Sequence, residues 1–383
     1  MFTRRLHAPE SQAVTFVELF FDLVFVYAVT QVTVLTVEDL TWAGAARSAL
    51  VFWLIWWAWT QFTWTLNPAD TTQTLVRVVT LVASAVAFVM AASVTRAFGS
   101  EVWWFVVPYL LVRVIGLGLQ MRVDLERIDE HRSAIRSWVG ISLVGLGLVA
   151  VGAIVDTPAR YVVWTAAIVV DLVAAGRGAA RHEWDLSSAH FSERHGLFVI
   201  IAIGESLIVT AAAVSGETRS AALVTDVAAA LAVTCLLWWS YFGWLKDDLE
   251  RGLERHSIRA MSSVARDAFS LGHFPLVCGI IGFAVAIEEI AHHPDDVQPT
   301  EVVVALGVGI ALFVGMSAFA SWRTSGRILV SRLVTLGCTL AALALVSNQK
   351  PVWQLTTVAL GLLVIVVLER PGTRCGVRAG REE

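Results

Sequence analysis

The chain reads as a succession of apolar runs separated by short breaks rich in charge, Pro, Asn or Asp. Twelve such runs lie at residues 15–37, 42–64, 75–94, 102–120, 134–155, 160–175, 195–214, 222–245, 264–287, 300–319, 328–346 and 352–368. They are apolar on all sides, and most approach the roughly 20 residues that a helix needs to cross a bilayer. Transmembrane strands are about 10 residues long and alternate in polarity, which excludes a barrel. The pattern predicts an all-α, polytopic transmembrane helix bundle of about 12 spans.

Composition narrows what such a bundle leaves room for. Of 383 residues, 57% are hydrophobic and 16% charged, and the mean hydropathy is +0.69, whereas soluble domains hold about 45–50% apolar and 25% charged residues. Twelve helices of about 20 residues would take up about 240 positions, leaving no room for a large soluble catalytic domain. The first run carries Glu18 and Asp22 and lacks a small-residue cleavage pattern, so it is expected to be retained rather than removed as a secretion signal. Cys235, Cys278, Cys338 and Cys375 are scattered without paired spacing and read as small core residues.

Charge gives the bundle an expected direction. Of the 28 Lys and Arg, 22 fall on one side, in the N-terminus, the alternate loops and the tail; five fall on the other, and Arg113 alone lies inside a span. Arg160 is counted among the five, and Arg194 and Arg332 among the 22. Short basic loops stay cytoplasmic, so both termini are expected on the cytoplasmic side of a bacterial inner (plasma) membrane. The net charge of −4 hides this segregation and implies no nucleic-acid surface.

The two halves also resemble each other. At a shift of about 182, Leu54-Ile55-Trp56-Trp57-Ala58-Trp59 meets Leu236-Leu237-Trp238-Trp239-Ser240-Tyr241, and with one residue of slip Asp22 meets Glu205. Six spans per half would give a parallel 6+6 internal repeat, as some transporters have. The expected division is a first transmembrane half at 1–190, a second at 191–370 and a basic cytoplasmic tail at 371–383.

Ionisable groups inside the spans are where chemistry is sought, because a charge at the bilayer centre costs about 2.5–3.5 kcal/mol on insertion scales. Glu18 and Asp22 lie one turn apart on the same face of the first span, Arg113 near the middle of the fourth, Asp171 in the sixth and Glu205 in the seventh. The economical expectation pairs Arg113 with Asp22 or Glu205. Together the five read either as a pathway for protons or cations or as a buried ion-pair network that fixes helix register. His190, Glu193, Arg194 and His195 crowd the inner mouth of the seventh span as an interfacial hydrogen-bond cluster. His182-Glu183 lacks the second His of a zinc helix. No metal and no cofactor are expected. His273 with Pro275 suggests a polar kink in the ninth span. Trp53, Trp56, Trp57, Trp59 and Trp64, spaced to suit helix packing or headgroup anchoring, could alternatively cage a cation.

Two stretches resemble a known family. Val17-Glu18-Leu19-Phe20-Phe21-Asp22-Leu23-Val24-Phe25-Val26 is similar to the first helix of the bacterial low temperature requirement protein A (LtrA) family. His190-Phe191-Ser192-Glu193-Arg194-His195-Gly196-Leu197-Phe198 with Ile203-Gly204-Glu205-Ser206 resembles its second landmark, and Tyr109 to Arg113 and Asp171 sit where such proteins carry an Arg and an Asp. The resemblance implies a polytopic membrane protein tied by name to growth in the cold. It marks Glu18, Asp22, Arg113, Glu193, Arg194 and Glu205 as motif positions and implies no substrate or reaction.

These readings converge on a transporter or channel that couples protons or cations to an unknown small solute. The alternative is a non-transporting membrane protein that supports low-temperature or envelope stress adaptation through membrane lipids or partner contacts. No nucleophile and base pair is visible, so an enzyme is not expected.

Overall fold

The computed structural model describes residues 13–124, 132–181, 186–216, 220–294 and 296–369. Among them are fourteen α-helices and no strand. Their order is α1 (Phe16–Val37), α2 (Trp42–Leu66), α3 (Thr74–Ala91), α4 (Trp103–Asp124), α5 (Arg132–Ile154), α6 (Ala159–Arg181), α7 (Ser188–Gly216), α8 (Ala221–Phe242), α9 (Leu245–Glu254), α10 (Ile258–Ala265), α11 (His273–His292), α12 (Thr300–Ser325), α13 (Val330–Leu345) and α14 (Pro351–Leu368). Each expected run coincides with a helix. Nine helical stretches among the described residues are long and apolar enough to cross a membrane, with shorter apolar helices at Trp138–Ile154 and Val330–Leu345. α2 is less apolar because Trp, Thr and Gln fill its second half, yet nearly every residue there is buried. Two features lay outside the pattern: α9 and α10 fold from what reads as a charged loop, and a π-helical turn, Arg266–Leu271, leads into α11.

The chain forms two compact units, Met1–Phe198 with Leu253–Ser270, and Val199–Gly252 with Leu271–Glu383. In the first, α1 packs on α2 and α3, α3 on α4, α4 on α2 and α5, and α5 on α6. In the second, α11 packs on α12, α12 on α13, α13 on α14, and α8 on α14 and α11. Large apolar side chains such as Phe16, Phe88, Val162 and Leu345 are exposed on helix faces, as expected where the solvent is lipid rather than water.

Helix ends follow local chemistry. Thr15 and Glu18 form a capping box at the start of α1, with Thr15 N–H and Oγ1 donating to Glu18 Oε2 at 2.9 and 2.8 Å. In the turn to α2, Asp39 accepts from Thr41 N–H and Oγ1 and pairs with Arg47, and the Thr41 donors hold its carboxyl below the usual carboxylate range. Arg160, expected at the outer end of the sixth run, is buried at the start of α6. It donates to the carbonyls of Gly152, Val155, Ala97 and Gly99, satisfying the open carbonyl end of α5. Pro275 falls in the first turn of α11, where its missing N–H costs nothing.

Small residues allow a close helix approach in the second unit. A Cβ on Gly279 would lie 2.5 Å from Gly309 O, and one on Gly309 would lie 2.7 Å from Gly279 O, so α11 and α12 meet backbone to backbone. Gly279→Ala or Gly309→Ala is expected to destabilise the detergent-solubilised protein by about 1–3 kcal/mol in thermal unfolding, as overpacked cores do. Gly315→Ala, where an added Cβ meets nothing within 4 Å, should be neutral or stabilising. Equal effects at all three sites would refute the close crossing.

Candidate functional site

Of the four buried arginines among the described residues, Arg160 is answered by carbonyls, and Arg113, Arg194 and Arg332 are each answered by a carboxylate and an aromatic ring. Arg113 on α4 makes a two-pronged pair with Asp171 on α6, Nη1 to Oδ2 and Nη2 to Oδ1, both at 3.1 Å. Its Nη1 also donates to Tyr109 Oη at 2.9 Å, and Gln61 Nε2 donates to its carbonyl. A Cβ on Gly145 would lie 3.3 Å from Asp171 Oδ1, so α5 closes over the pair. The expected partners of Arg113, Asp22 or Glu205, are therefore corrected to Asp171. Separation in sequence hid this, since nothing in spacing says which spans will be neighbours.

Asp22 belongs to a second and larger cluster. Arg194 on α7 donates through Nη1 to Glu18 Oε1 at 2.9 Å and through Nη2 to Asp22 Oδ1 at 2.6 Å. Trp59 Nε1 donates to the same Asp22 oxygen at 2.7 Å, and the guanidinium carbon sits 5.9 Å from the Trp59 ring. His190 Nε2 lies 3.0 Å from Glu18 Oε1. All five side chains are buried. Glu18 divides its oxygens between the cap and the ion pairs, whereas Asp22 Oδ2 is buried with no hydrogen-bond partner.

The protonation of His190 is fixed from behind. Asn67, at the end of α2, accepts from Ser187 N–H through Oδ1 at 2.8 Å and donates to Ser187 O through Nδ2 at 3.1 Å, which settles its amide orientation. The remaining Nδ2 hydrogen is directed at His190 Nδ1, 3.1 Å away. Nδ1 must then accept, which leaves the imidazole neutral with its proton on Nε2, facing Glu18. Two carboxylates share one guanidinium, and the cluster carries net −1 unless one carboxyl is protonated. Asp22 Oδ2 is the oxygen with room for that proton.

Of the remaining expected residues, His195 is buried beside Trp59, Phe191 and Phe269, its Nδ1 2.9 Å from Phe191 O, while Glu193 is exposed. Glu205 is buried in the part of α7 that belongs to the second unit. His273 is buried with Nε2 2.7 Å from Tyr241 Oη, a hydrogen-bonded core histidine. Trp56 and Trp59 are packed in the interior, and Trp53 stacks on Trp57. His182 and Glu183 lie outside the described residues. Among the described residues no group of three His, Cys, Asp or Glu is arranged to hold a metal ion.

A third buried pair was not expected. Arg332, counted with the cytoplasmic basic groups near the start of the eleventh run, lies in the first turn of α13, donating to Glu369 at 2.8 and 3.2 Å and to Ser240 O and Oγ, with Trp244 Nε1 donating to Glu369 as well. Arg194, expected just before the seventh run, which reads as starting at residue 195, instead lies within α7. The polar Ser188–Arg194 segment is helical, and it buries Arg194 nearly two turns inside α7.

A family profile described as bacterial low temperature requirement A protein (LtrA) matches residues 13–367. The chain belongs to the LtrA family. It is also similar to an uncharacterized protein of Rhizobium meliloti (strain 1021), 28% identical over 339 residues that cover 85% of this chain and 81% of that protein. No solved structure matches it. With this membership and its apolar helices, the LtrA chain is an integral membrane protein.

Charge balance predicts how the site answers mutation. Arg194→Met strands two buried carboxylates and is expected to cost about 3–5 kcal/mol, as breaking a buried pair does. Adding Glu18→Gln and Asp22→Asn should recover a large part of that loss. Asp22→Asn alone keeps the acceptor for Trp59 and Arg194, removes the excess charge and should leave the detergent-solubilised protein as stable as wild type or more so. Thermal unfolding of the four proteins checks this, and a triple variant no better than Arg194→Met would overturn the charge account.

Proposed function

We propose that this LtrA protein is a transporter or channel that couples protons to movement of a small solute, with Asp22 as the proton-binding group. One observation carries the reading: two carboxylates face a single guanidinium, the neighbouring imidazole is neutral, and Asp22 Oδ2 has no hydrogen-bond partner. Protonation takes the cluster from net −1 to neutral, and a change of that size inside an apolar bundle can bias helix arrangement. Arg113 and Asp171 are matched one to one and serve as a fixed strut. Glu205 is the corresponding buried acid of the second half.

A duplicated 6+6 architecture is supported by like pairings within each unit: α3 with α4 and α11 with α12, α4 with α5 and α12 with α13, α5 with α6 and α13 with α14, α2 with α6 and α8 with α14. The distribution of Lys and Arg supports cytoplasmic termini in the bacterial inner membrane. A second reading, a non-transporting protein that supports growth in the cold or under envelope stress, draws on the family's description and on the matched Arg113–Asp171 and Arg332–Glu369 pairs.

In proteoliposomes with an imposed pH gradient, the wild-type protein is expected to move protons above the rate of empty vesicles. Asp22→Asn should abolish that flux while remaining folded, and Glu205→Gln should reduce it. Background flux in all three would sink the transport reading in favour of the second. Orientation is tested separately by fusing alkaline phosphatase or a fluorescent protein to each terminus. Only the fluorescent fusions should be active, and phosphatase activity at either end would overturn the assignment.

A further inference from the structure

A half-open cavity of about 60 Å³ lies within the first unit, between α2, α4, α5, α6 and the π-helical turn. It has no part in the carboxylate cluster. By the measure in which one water takes about 10–15 Å³, it has space for a molecule several times larger than water. Trp57, Trp64 and Trp138 supply indole walls, and Thr60, Gln61 and Arg113 supply polar atoms.

The polar atoms are specific in kind. Thr60, Gln61 and Arg113 are 3%, 5% and 1% exposed, and Thr60 Oγ1, Gln61 Oε1 and Arg113 Nε have no hydrogen-bond partner. Gln61 Nε2 donates to the Arg113 carbonyl, so its free end is an acceptor, whereas Arg113 Nε is a donor. An unpartnered donor and an unpartnered acceptor thus belong to residues that line the cavity beside flat apolar walls. Among the described lining residues each charge is matched. Arg113 is neutralised by Asp171, and Arg266 by Asp267, which accepts from Nε at 2.8 Å and Nη2 at 2.6 Å. Among the described residues no carboxylate side chain lines it.

The far wall is built for position. Ser270, in the π-helical turn, is held by two tryptophans of α2, Trp56 Nε1 donating to its carbonyl at 2.7 Å and Trp64 Nε1 to its Oγ at 2.9 Å. Such turns are rare and occur frequently at functional sites.

We propose that this cavity is a binding site for a small, neutral, planar molecule whose edge both donates and accepts hydrogen bonds, as a primary amide does. The flat body stacks on indole, the carbonyl accepts from Arg113 Nε and the N–H donates to Gln61 Oε1. A carboxylate would leave Gln61 Oε1 facing another acceptor, and a cation would meet Arg113 and Arg266.

Benzamide, benzoate and benzamidine share one skeleton and carry charges of 0, −1 and +1, so they separate these possibilities. Tryptophan fluorescence and thermal shift of the full-length protein in detergent should show saturable binding of benzamide, at least about tenfold tighter than either charged analogue, the size of one lost or mismatched hydrogen bond. Ala175→Leu, which fills the cavity, should abolish binding. No saturable response to benzamide, a charged analogue binding as tightly, or wild-type binding by folded Ala175→Leu overturns the proposal. The wild-type series decides even if a variant fails to fold. Binding in detergent needs no gradient, so the outcome is independent of the proton reading.

Discussion

A guanidinium cannot be left alone among lipid-facing helices, and most of the internal order of this protein follows from that constraint. Isolated, each buried charge would cost several kcal/mol. Arg113, Arg194 and Arg332 are each met by carboxylate oxygens and an aromatic ring, at 5.8, 5.9 and 5.7 Å from Tyr109, Trp59 and Trp244. These contacts are directional in a way that apolar packing is not. α4 can meet α6, and α1 can meet α7, in few registers that satisfy both oxygens and both nitrogens. In an interior where hydrocarbon packs equally well against protein or lipid, the ion pairs decide which helices are neighbours.

α2 plays the complementary part. It supplies Trp59 to Asp22, Gln61 to the backbone beside Arg113, Asn67 to the start of α7, and Trp56 and Trp64 to the π-helical turn. Its indoles are large enough to fill space and still present one N–H each, which suits an interior where polar atoms are few and costly. The same residues that keep it from being among the apolar spanning helices make it a common support for the carboxylate cluster and the cavity.

The architecture was legible because an apolar run of helical length satisfies its own backbone without water only by coiling into a helix, buried in protein or in bilayer. The acids were legible because they interrupt those runs. Partner choice was not, since α4 and α6 are separated by an intervening span and only three dimensions reveal Asp171 beside Arg113. Arg194 was read as a loop cation because a helix with a polar first turn looks like a break in hydropathy. One local signal was present and bore on the site: Thr15 three residues before Glu18 is a capping box, which commits one Glu18 oxygen to the backbone and singles out Asp22.

The reciprocal bonds between Asn67 and Ser187 have a further consequence. They anchor the start of α7 to the end of α2, so the rotational phase of α7 is counted from a fixed origin. At 3.6 residues per turn, one residue gained or lost between Ser187 and Arg194 would swing the guanidinium about 100° around the helix, away from both acids. Length in this short stretch is thus as constrained as identity. Substitutions can accumulate on its outward positions, such as Glu193, but insertions and deletions cannot.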